Sequence, residues 1–459
     1  MRCRLALLII TAAAIVVCEP GIAAAQTADD LFNDQVLHRI DVYIYSKDWR
    51  LLKANYGLNT HYPADLRWQG KAVRNASVRS RGRFTRSGIK PSLHFNFDHY
   101  ASGQTFLGLQ SLVLKNLGQD PSTLREFLAM KMLRRLGVAA PRVAFASVYV
   151  NNSYMGLYGL VENIDTVAAQ RIFGESAGHL FEFNWLNDWR FEYLGPGLPE
   201  YARRFEPINH LYDTQADLYG PVEAWCRLAN ESQPYEFSAS IGQYVDVAAL
   251  MRFVAAQAFM AEPDGFTGSR GMNNLFVYRT EGTNVHRFVA WDHDQSCDSV
   301  GFPITRGNDD NVLVRRLMEI PDARQTYYAT LLEAAGYADE VIVEAGGKGL
   351  RQARPAAALP RATVSTDDLR RLAADKTKGG RVAAGAQGLG WLESEALRAL
   401  NLVRPAAYLD TLKPYSNEQF EAAAAYVLDF CRRRAAFVRS EVAQLANPVG
   451  SGAAAVRRP

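Results

Sequence analysis

The chain reads as an α+β protein, and three observations carry that expectation. Strand-like segments of alternating polarity crowd the first 165 residues, one helix of apolar residues at three- and four-residue spacing sits among them, and helical patterns dominate after residue 245 around a single short hairpin. Residues 35–47 (QVLHRIDVYIYSK) alternate well enough for a strand that places Asp41 and Tyr43 on one face. Ala72–Arg79 and Ser92–Phe97 are further strands flanking a Gly-Arg turn. Ser122–Leu136 predicts a helix, with Ser122 as its N-cap and Leu124, Phe127, Leu128, Met132 and Leu136 as its apolar stripe. A hairpin follows, Ala144–Val150 and Tyr154–Val161 joined through Asn151-Asn152.

Residues 165–240 are aromatic-rich without clear period and predict an irregular connector with short helices. Val245–Met260 predicts a second helix, leading into a Gly-rich loop at Asp264. Leu275–Tyr278 and Arg287–Trp291 then form a hairpin, and a long amphipathic helix runs from Asn417 to Leu445. That helix opens on the capping pair Ser416 and Gln419, and Phe420, Ala424, Val427, Cys431 and Val438 form its stripe.

Residues 1–25 carry the marks of a cleaved export signal: Arg2 and Arg4, the apolar run Leu5–Val17, and Ala23-Ala24-Ala25 before Gln26. The apolar run is too short for a membrane span, and no later stretch approaches one, so no transmembrane anchor is expected. Residues 1–25 hold two Arg and one Glu, so the chain's +3 becomes +2 on cleavage, a balance that points to neither nucleic acid nor an anionic surface. Three of the five Cys remain after cleavage (Cys226, Cys297, Cys431), enough for one disulfide at most and without zinc-site spacing. Residues 345–388 are rich in Gly, Ala and Arg and predict a flexible insertion; 447–459 predict a disordered tail. The expected organisation is a strand-rich lobe over 26–165 and a mainly helical lobe over 166–446. Oligomeric state is left open.

The chemistry concentrates between Ala261 and Asp298. Asp264 stands in its Gly-rich loop, followed by Asn273-Asn274 and then Asp292-His293-Asp294 at the end of the hairpin. Carboxylates two apart on a strand leave the same face, where they repel unless a cation or a basic side chain such as Arg306 lies between them. With amides and a further Asp just upstream, the group offers the oxygen ligands that Mg²⁺ or Mn²⁺ prefers, beside a base. His293 points opposite to the two carboxylates. Walker-loop and H-x-x-x-H patterns are absent from the sequence.

Five segments together resemble the CotH kinase family of secreted atypical protein kinases: VRSRGRFTRSGIKPSLHFNFD (78–98), LKNLGQDPSTLREFLAMKMLRRLGV (114–138), YVNNSYMGLYGLVENID (149–165), DGF with MNNLFVYR, and WDHDQ. The resemblance implies a two-lobed, protein-kinase-like fold using ATP and Mg²⁺ or Mn²⁺, with a Ser-rich extracytoplasmic protein as acceptor. It implies that Asp264 orients or deprotonates the acceptor hydroxyl, and that Asn273, Asn274, Asp292 and Asp294 hold the metal, with Asp294 the principal ligand. On the nucleotide side it implies Arg81 and Lys90 near the phosphates, with Arg125 and Glu162 in the cleft; a surface charge is the alternative for Arg125 and a strand-end salt bridge for Glu162. Two departures from the family stand out. Asn96 occupies a position often held by Lys, leaving Lys90 or Arg81 to substitute, and Glu262-Pro263 precedes Asp264 where relatives often have an aromatic or His. Against the kinase expectation stand a non-catalytic surface or matrix binding protein and a metal-dependent phosphohydrolase or nucleotidyltransferase.

Overall fold

The computed structural model describes residues 26–83, 85–341 and 388–446. The expected signal, tail and all but the last residue of the expected insertion therefore lie outside the described residues. The strands are β1 Leu37–Ile44, β2 Tyr62–Trp68, β3 Lys71–Arg81, β4 Ser92–Asn96, β5 Ser111–Lys115, β6 Val143–Val150, β7 Ser153–Glu162, β8 His179–Phe183, β9 Phe205–Pro207, β10 Leu275–Arg279 and β11 His286–Ala290. The first seven close a barrel in the order β1-β2-β3-β4-β5-β7-β6, all antiparallel except the closing β1–β6 pair. The remaining four form an antiparallel sheet, β11-β10-β8-β9. The chain is α+β.

Two of the barrel strands, β2 and β5, were not legible in the sequence. The core explains β5. Leu112 and Leu114 face the barrel interior with Leu66, Phe95 and Tyr158, whereas Val113 joins the larger core beneath the helices. A strand buried on both faces reads as an unbroken apolar run and loses its alternation. By the same two-residue period, Lys115 follows Val113 toward the helical body. The Asn151-Asn152 turn holds as expected, both residues at positive φ (49° and 67°), which Asn tolerates and a two-residue hairpin turn requires.

The expected helix at 122–136 begins three residues later, at Arg125. Asp120 is the reason: its carboxylate accepts from the backbone N–H groups of Ser122 (2.9 Å) and Arg125 (2.9 Å) and from the Ser122 hydroxyl (2.6 Å), folding the chain into a turn before the helix starts. The expected connector at 165–240 is more ordered than its sequence suggests, holding β8, β9 and the helix Gln215–Glu231. Its aromatics Phe181, Phe183, Trp189, Phe191, Phe205 and Trp225 pack together as core.

The helices Val247–Phe259, Pro321–Ala338, Trp391–Leu409 and Asn417–Ala446 build the rest of the body. The last begins as expected: Gln419 Oε1 accepts from Ser416 N (2.8 Å), Ser416 Oγ from Gln419 N (3.2 Å), and all five stripe residues are buried. It also delivers Arg434, fully buried, whose guanidinium donates to the carbonyls of Ala258, Phe259, Val300 and Phe302. That clamps the end of the Val247–Phe259 helix, satisfying carbonyls that helix termini leave unpaired. Cys226, Cys297 and Cys431 are buried free thiols.

Candidate active site

The cleft between barrel and helical body is built by three short pieces of chain. The first is the Asp264 loop. Its base is fixed by Gln257, whose Oε1 accepts from Phe266 N (2.9 Å), while the carbonyl of Gly265 accepts from Asn273 N (3.2 Å). Gly265 has no side chain to spare, since a Cβ would sit 2.7 Å from Gln257 Oε1. One oxygen of Asp264, Oδ2, accepts from Asn273 Nδ2 (3.1 Å), Asn274 Nδ2 (3.0 Å) and Gln295 Nε2 (3.3 Å). Burial raises the Asp264 carboxyl despite these donors.

The second piece is the segment after β11. The strand ends at Ala290, so Asp292 and Asp294 are not strand residues as expected; Asp292 instead turns the chain at φ 55°, as Asn274 does at φ 58°. Both carboxylates still line the cleft with Asp264, Asn273 and Asn274 around a cavity of about 250 Å³. Backbone bonds from Trp291 N to Asn274 O (3.1 Å) and from Cys297 N to Met260 O (2.7 Å) strap this segment to the Asp264 loop. His293 points away as expected and is buried; Gln257 Nε2 lies 3.0 Å from its Nε2, and burial pushes its pKa down to about 3.

The third piece is on the barrel side, and its decisive residues were missed in the sequence. Lys115, the last residue of β5, pairs with Glu126 in the first turn of the Arg125–Arg135 helix and with Asp292 Oδ1 at 2.6 Å. Its ammonium also lies 5.0 Å from the centre of the Trp291 ring. Burial alone would lower the Lys115 pKa, but Asp292, Glu126 and Asp294 outweigh it and push it up to about 12. Burial likewise works to raise Asp292, yet Lys115 prevails and holds that carboxyl below its usual value. Asp294 goes the other way: burial and the Asp292 charge push it well above the carboxylate range. Glu262, hydrogen-bonded to Asp264 N (2.9 Å) and the Ser296 hydroxyl (2.7 Å), is pushed up to about 8 by burial.

Of the four residues expected near nucleotide, the structure brings one to the cleft. Arg81 lines an inner chamber of about 40 Å³ with Lys115, Asp120, Thr123, Glu126, Asp292 and Asp294, its guanidinium 4.5 Å from the centre of the Trp291 ring. Lys90 is a correction: its Nζ is buried against Asp410 Oδ2 (2.6 Å) and the Leu157 carbonyl (2.7 Å). Glu162 is another, since it is buried between Arg142 and Arg171 in the strand-end salt bridge that stood as its alternative. Arg125 turns back to Asp120, with 3.5 Å between Nε and Oδ1. Nor does Arg306 reach the carboxylates; it donates to Ser269 Oγ. Asn96 accepts from Asp98 N on the barrel rim. The one signal that could have found Lys115 is a lysine ending an apolar run, with a Glu opening the next helix.

The donor set fits a hard divalent cation. Among the described residues no hydrogen bond or ion pair reaches the Asp294 carboxylate, Asn273 and Asn274 spend their amide nitrogens on Asp264 and so keep their carbonyl oxygens available, and Asp292 opens to the cleft. Carboxylates and amide oxygens are what Mg²⁺ and Mn²⁺ take. A cation there would offset the burial and the Asp292 charge that push the Asp294 carboxyl up.

Residues 78–337 match the family described as CotH kinase protein. The chain is 23% identical over 305 residues to the inner spore coat protein H of Bacillus subtilis, across 64% of this chain and 80% of that protein. A solved structure, the Helicobacter pylori proinflammatory kinase CtkA, aligns at a TM-score of 0.28 and 9% identity, covering 81% of this chain and 95% of its own.

Proposed function

The chain belongs to the CotH kinase family, and from that premise we propose that it is a metal-dependent protein kinase, two-lobed and protein-kinase-like in build, which moves the γ-phosphoryl group of ATP to Ser or Thr of an extracytoplasmic protein. The observation that carries the proposal is Lys115, held by Glu126 and Asp292 in the inner chamber that adjoins the cleft lined by Asp264, Asn273, Asn274 and Asp294. A strand lysine fixed by a helix glutamate, opposite a metal-holding Asp and a loop Asp-Asn pair, is the set of parts phosphoryl transfer requires.

In this reading Lys115 and Arg81 face the phosphates, and Glu126 keeps the Lys115 ammonium aimed at them. Asp294 is the principal metal ligand, with Asp292 and the Asn273 and Asn274 carbonyls beside it. A bound Mg²⁺ or Mn²⁺ would neutralise charge on the phosphates. Asp264 orients the acceptor hydroxyl and takes its proton, and its raised carboxyl pKa suits it as a base. Asn273, Asn274 and Gln295 hold one of its oxygens, which leaves the other for the acceptor. The inner chamber of about 40 Å³ is far below the roughly 300–1,000 Å³ of ligand pockets, so nucleotide entry requires the two walls to part. That narrowness is what favours the second reading, a non-catalytic surface-binding relative. We take export to follow from residues 1–25; no described helix is long and apolar enough to cross a membrane.

The test is transfer of label from γ-labelled ATP to a Ser-rich acceptor with Mg²⁺ or Mn²⁺. Asp264→Ala and Asp294→Ala should each lower transfer by at least about 10²-fold. A wild-type protein that neither transfers label nor binds ATP in a metal-dependent way would instead be the binding protein. Release of labelled free phosphate would make it the hydrolase, and release of labelled pyrophosphate with AMP left on the acceptor would make it the nucleotidyltransferase.

A further inference from the structure

A second cluster of metal-ligating side chains lies outside the cleft. His179 on β8 and His210 and Asp213 in the loop after β9 bring one ligand atom each within 4.8 Å of one another, the only such trio of His, Cys, Asp or Glu among the described residues. His179 Nε2 is 3.0 Å, and His210 Nδ1 3.3 Å, from the same oxygen, Asp213 Oδ2. The two imidazoles stack, with centroids 4.2 Å apart.

The loop is built to hold this geometry. Asn209 locks it to β8, accepting from Leu180 N (2.8 Å) and donating to the Gly178 carbonyl (2.8 Å), so the residues flanking His179 are tied to the residue preceding His210. His210 itself sits at φ 55°, a conformation few side chains adopt without cause. Its Nε2 lies 2.9 Å from the Ala177 carbonyl and must therefore carry a hydrogen there. In the neutral ring Nδ1 then presents a lone pair to a carboxylate oxygen, an arrangement that repels unless a proton or a metal ion lies between the two. An imidazole that donates one N–H to a backbone carbonyl while its other nitrogen meets two further ligand atoms is the usual outer support of a metal-bound histidine.

We propose that His179, His210 and Asp213 form a site for a zinc-class divalent transition metal. Two imidazoles and one carboxylate favour Zn²⁺, Cu²⁺ or Ni²⁺ over Mg²⁺ or Ca²⁺, which take oxygen sets. Three protein ligands would leave a fourth position, and a cavity of about 470 Å³ lined by His179, Asp213, Asp217, Arg279 and Glu281 adjoins two of the three. Arg279 does not occupy that position, since its guanidinium donates to the Leu218 carbonyl. The ion pins the loop whose next residues, Leu211 and Tyr212, stand 61% and 100% exposed.

The experiment is zinc content and affinity of the whole chain carrying no polyhistidine tag, by elemental analysis after dialysis and by competition with a chromogenic chelator. One zinc per chain is expected, with affinity falling at least tenfold in His179→Ala, His210→Ala and Asp213→Asn. It should be unchanged in His61→Ala, which breaks the other stacked histidine pair (His61–His99), and in Asp294→Ala in the cleft. Folding of each variant is checked by circular dichroism, and the milder Asp213→Asn keeps the test valid should a histidine variant misfold. Absence of stoichiometric zinc in the wild type would overturn the proposal and make the cluster an imidazolium–carboxylate pair. Zinc lost with Asp294→Ala but kept in His210→Ala would overturn it equally.

Discussion

Two buried lysines sit at the edges of the same barrel and do opposite work. Lys90 is enclosed by Asp410 and the Leu157 carbonyl, its side chain 4% exposed, and burial is the largest influence on it, lowering its pKa. The arrangement is closed on every side: Asp410 also accepts from Leu157 N (3.0 Å), Leu412 N (3.0 Å) and Lys413 N (3.1 Å), and a Cβ at Gly156 would collide with its carboxylate. Lys115 meets two carboxylates instead of one, and Asp292 is 40% exposed toward the cleft. One cation is finished within the protein, while the other is surrounded by more negative charge than it can satisfy. The first ties the segment after the Trp391–Leu409 helix to the barrel. The second opens to the cleft, where in the proposed function it would face the phosphates. Burial alone does not distinguish a structural charge from a functional one; the surplus of partners and the opening do.

The largest effect expected from this contrast is on stability. Lys90→Met leaves the Asp410 carboxylate buried without its cation and should cost about 3–5 kcal/mol in chemical denaturation. Lys115→Met should cost less, about 1–3 kcal/mol at neutral pH, because Asp292 reaches solvent and the Glu126 carboxyl, already raised by burial, takes up a proton. That loss should shrink toward acid pH, where Glu126 is protonated in the folded and unfolded chain alike. A Lys115 variant as unstable as the Lys90 variant at all pH values would erase the distinction.

Glu262 supplies a smaller, signed test. Its carboxyl is raised from the model-peptide value of 4.5 to about 8 in the folded chain, so folding holds a proton that the unfolded chain releases. Stability contributed by the neutral form is complete below pH 4.5 and erodes as pH rises to 8, a loss of a few kcal/mol. Glu262→Gln keeps a neutral acceptor for Asp264 N and removes the titration. Its melting temperature should therefore match wild type near pH 4 and exceed it near pH 8; an equal gap at both would show that Glu262 does not titrate in this window.

The contrast also explains what the sequence could and could not reveal. Asp264, Asn273, Asn274, Asp292 and Asp294 lie within about thirty residues of one another, and the elements linking them are local, so their convergence was legible. Lys115 and Glu126 reach the same cleft from across the barrel, and β5 lacks alternation because both its faces are buried. Lys90 was expected beside Arg81 at the phosphates only because it lies in the 78–98 segment that resembles the family, and its partner Asp410 lies 320 residues away. Ser122 read as a helix cap because Ser is a common one, but the side chain that reaches the first helix N–H, that of Arg125, belongs to Asp120. Long-range charge pairing leaves no local mark.

The most direct test is titration of Mg²⁺–ATP into wild-type, Lys115→Met and Lys90→Met proteins by calorimetry, well below each one's unfolding temperature. The account predicts metal-dependent binding in wild type, its loss in Lys115→Met, and its retention in the less stable Lys90→Met. Undiminished binding by Lys115→Met, or loss confined to Lys90→Met, would contradict it.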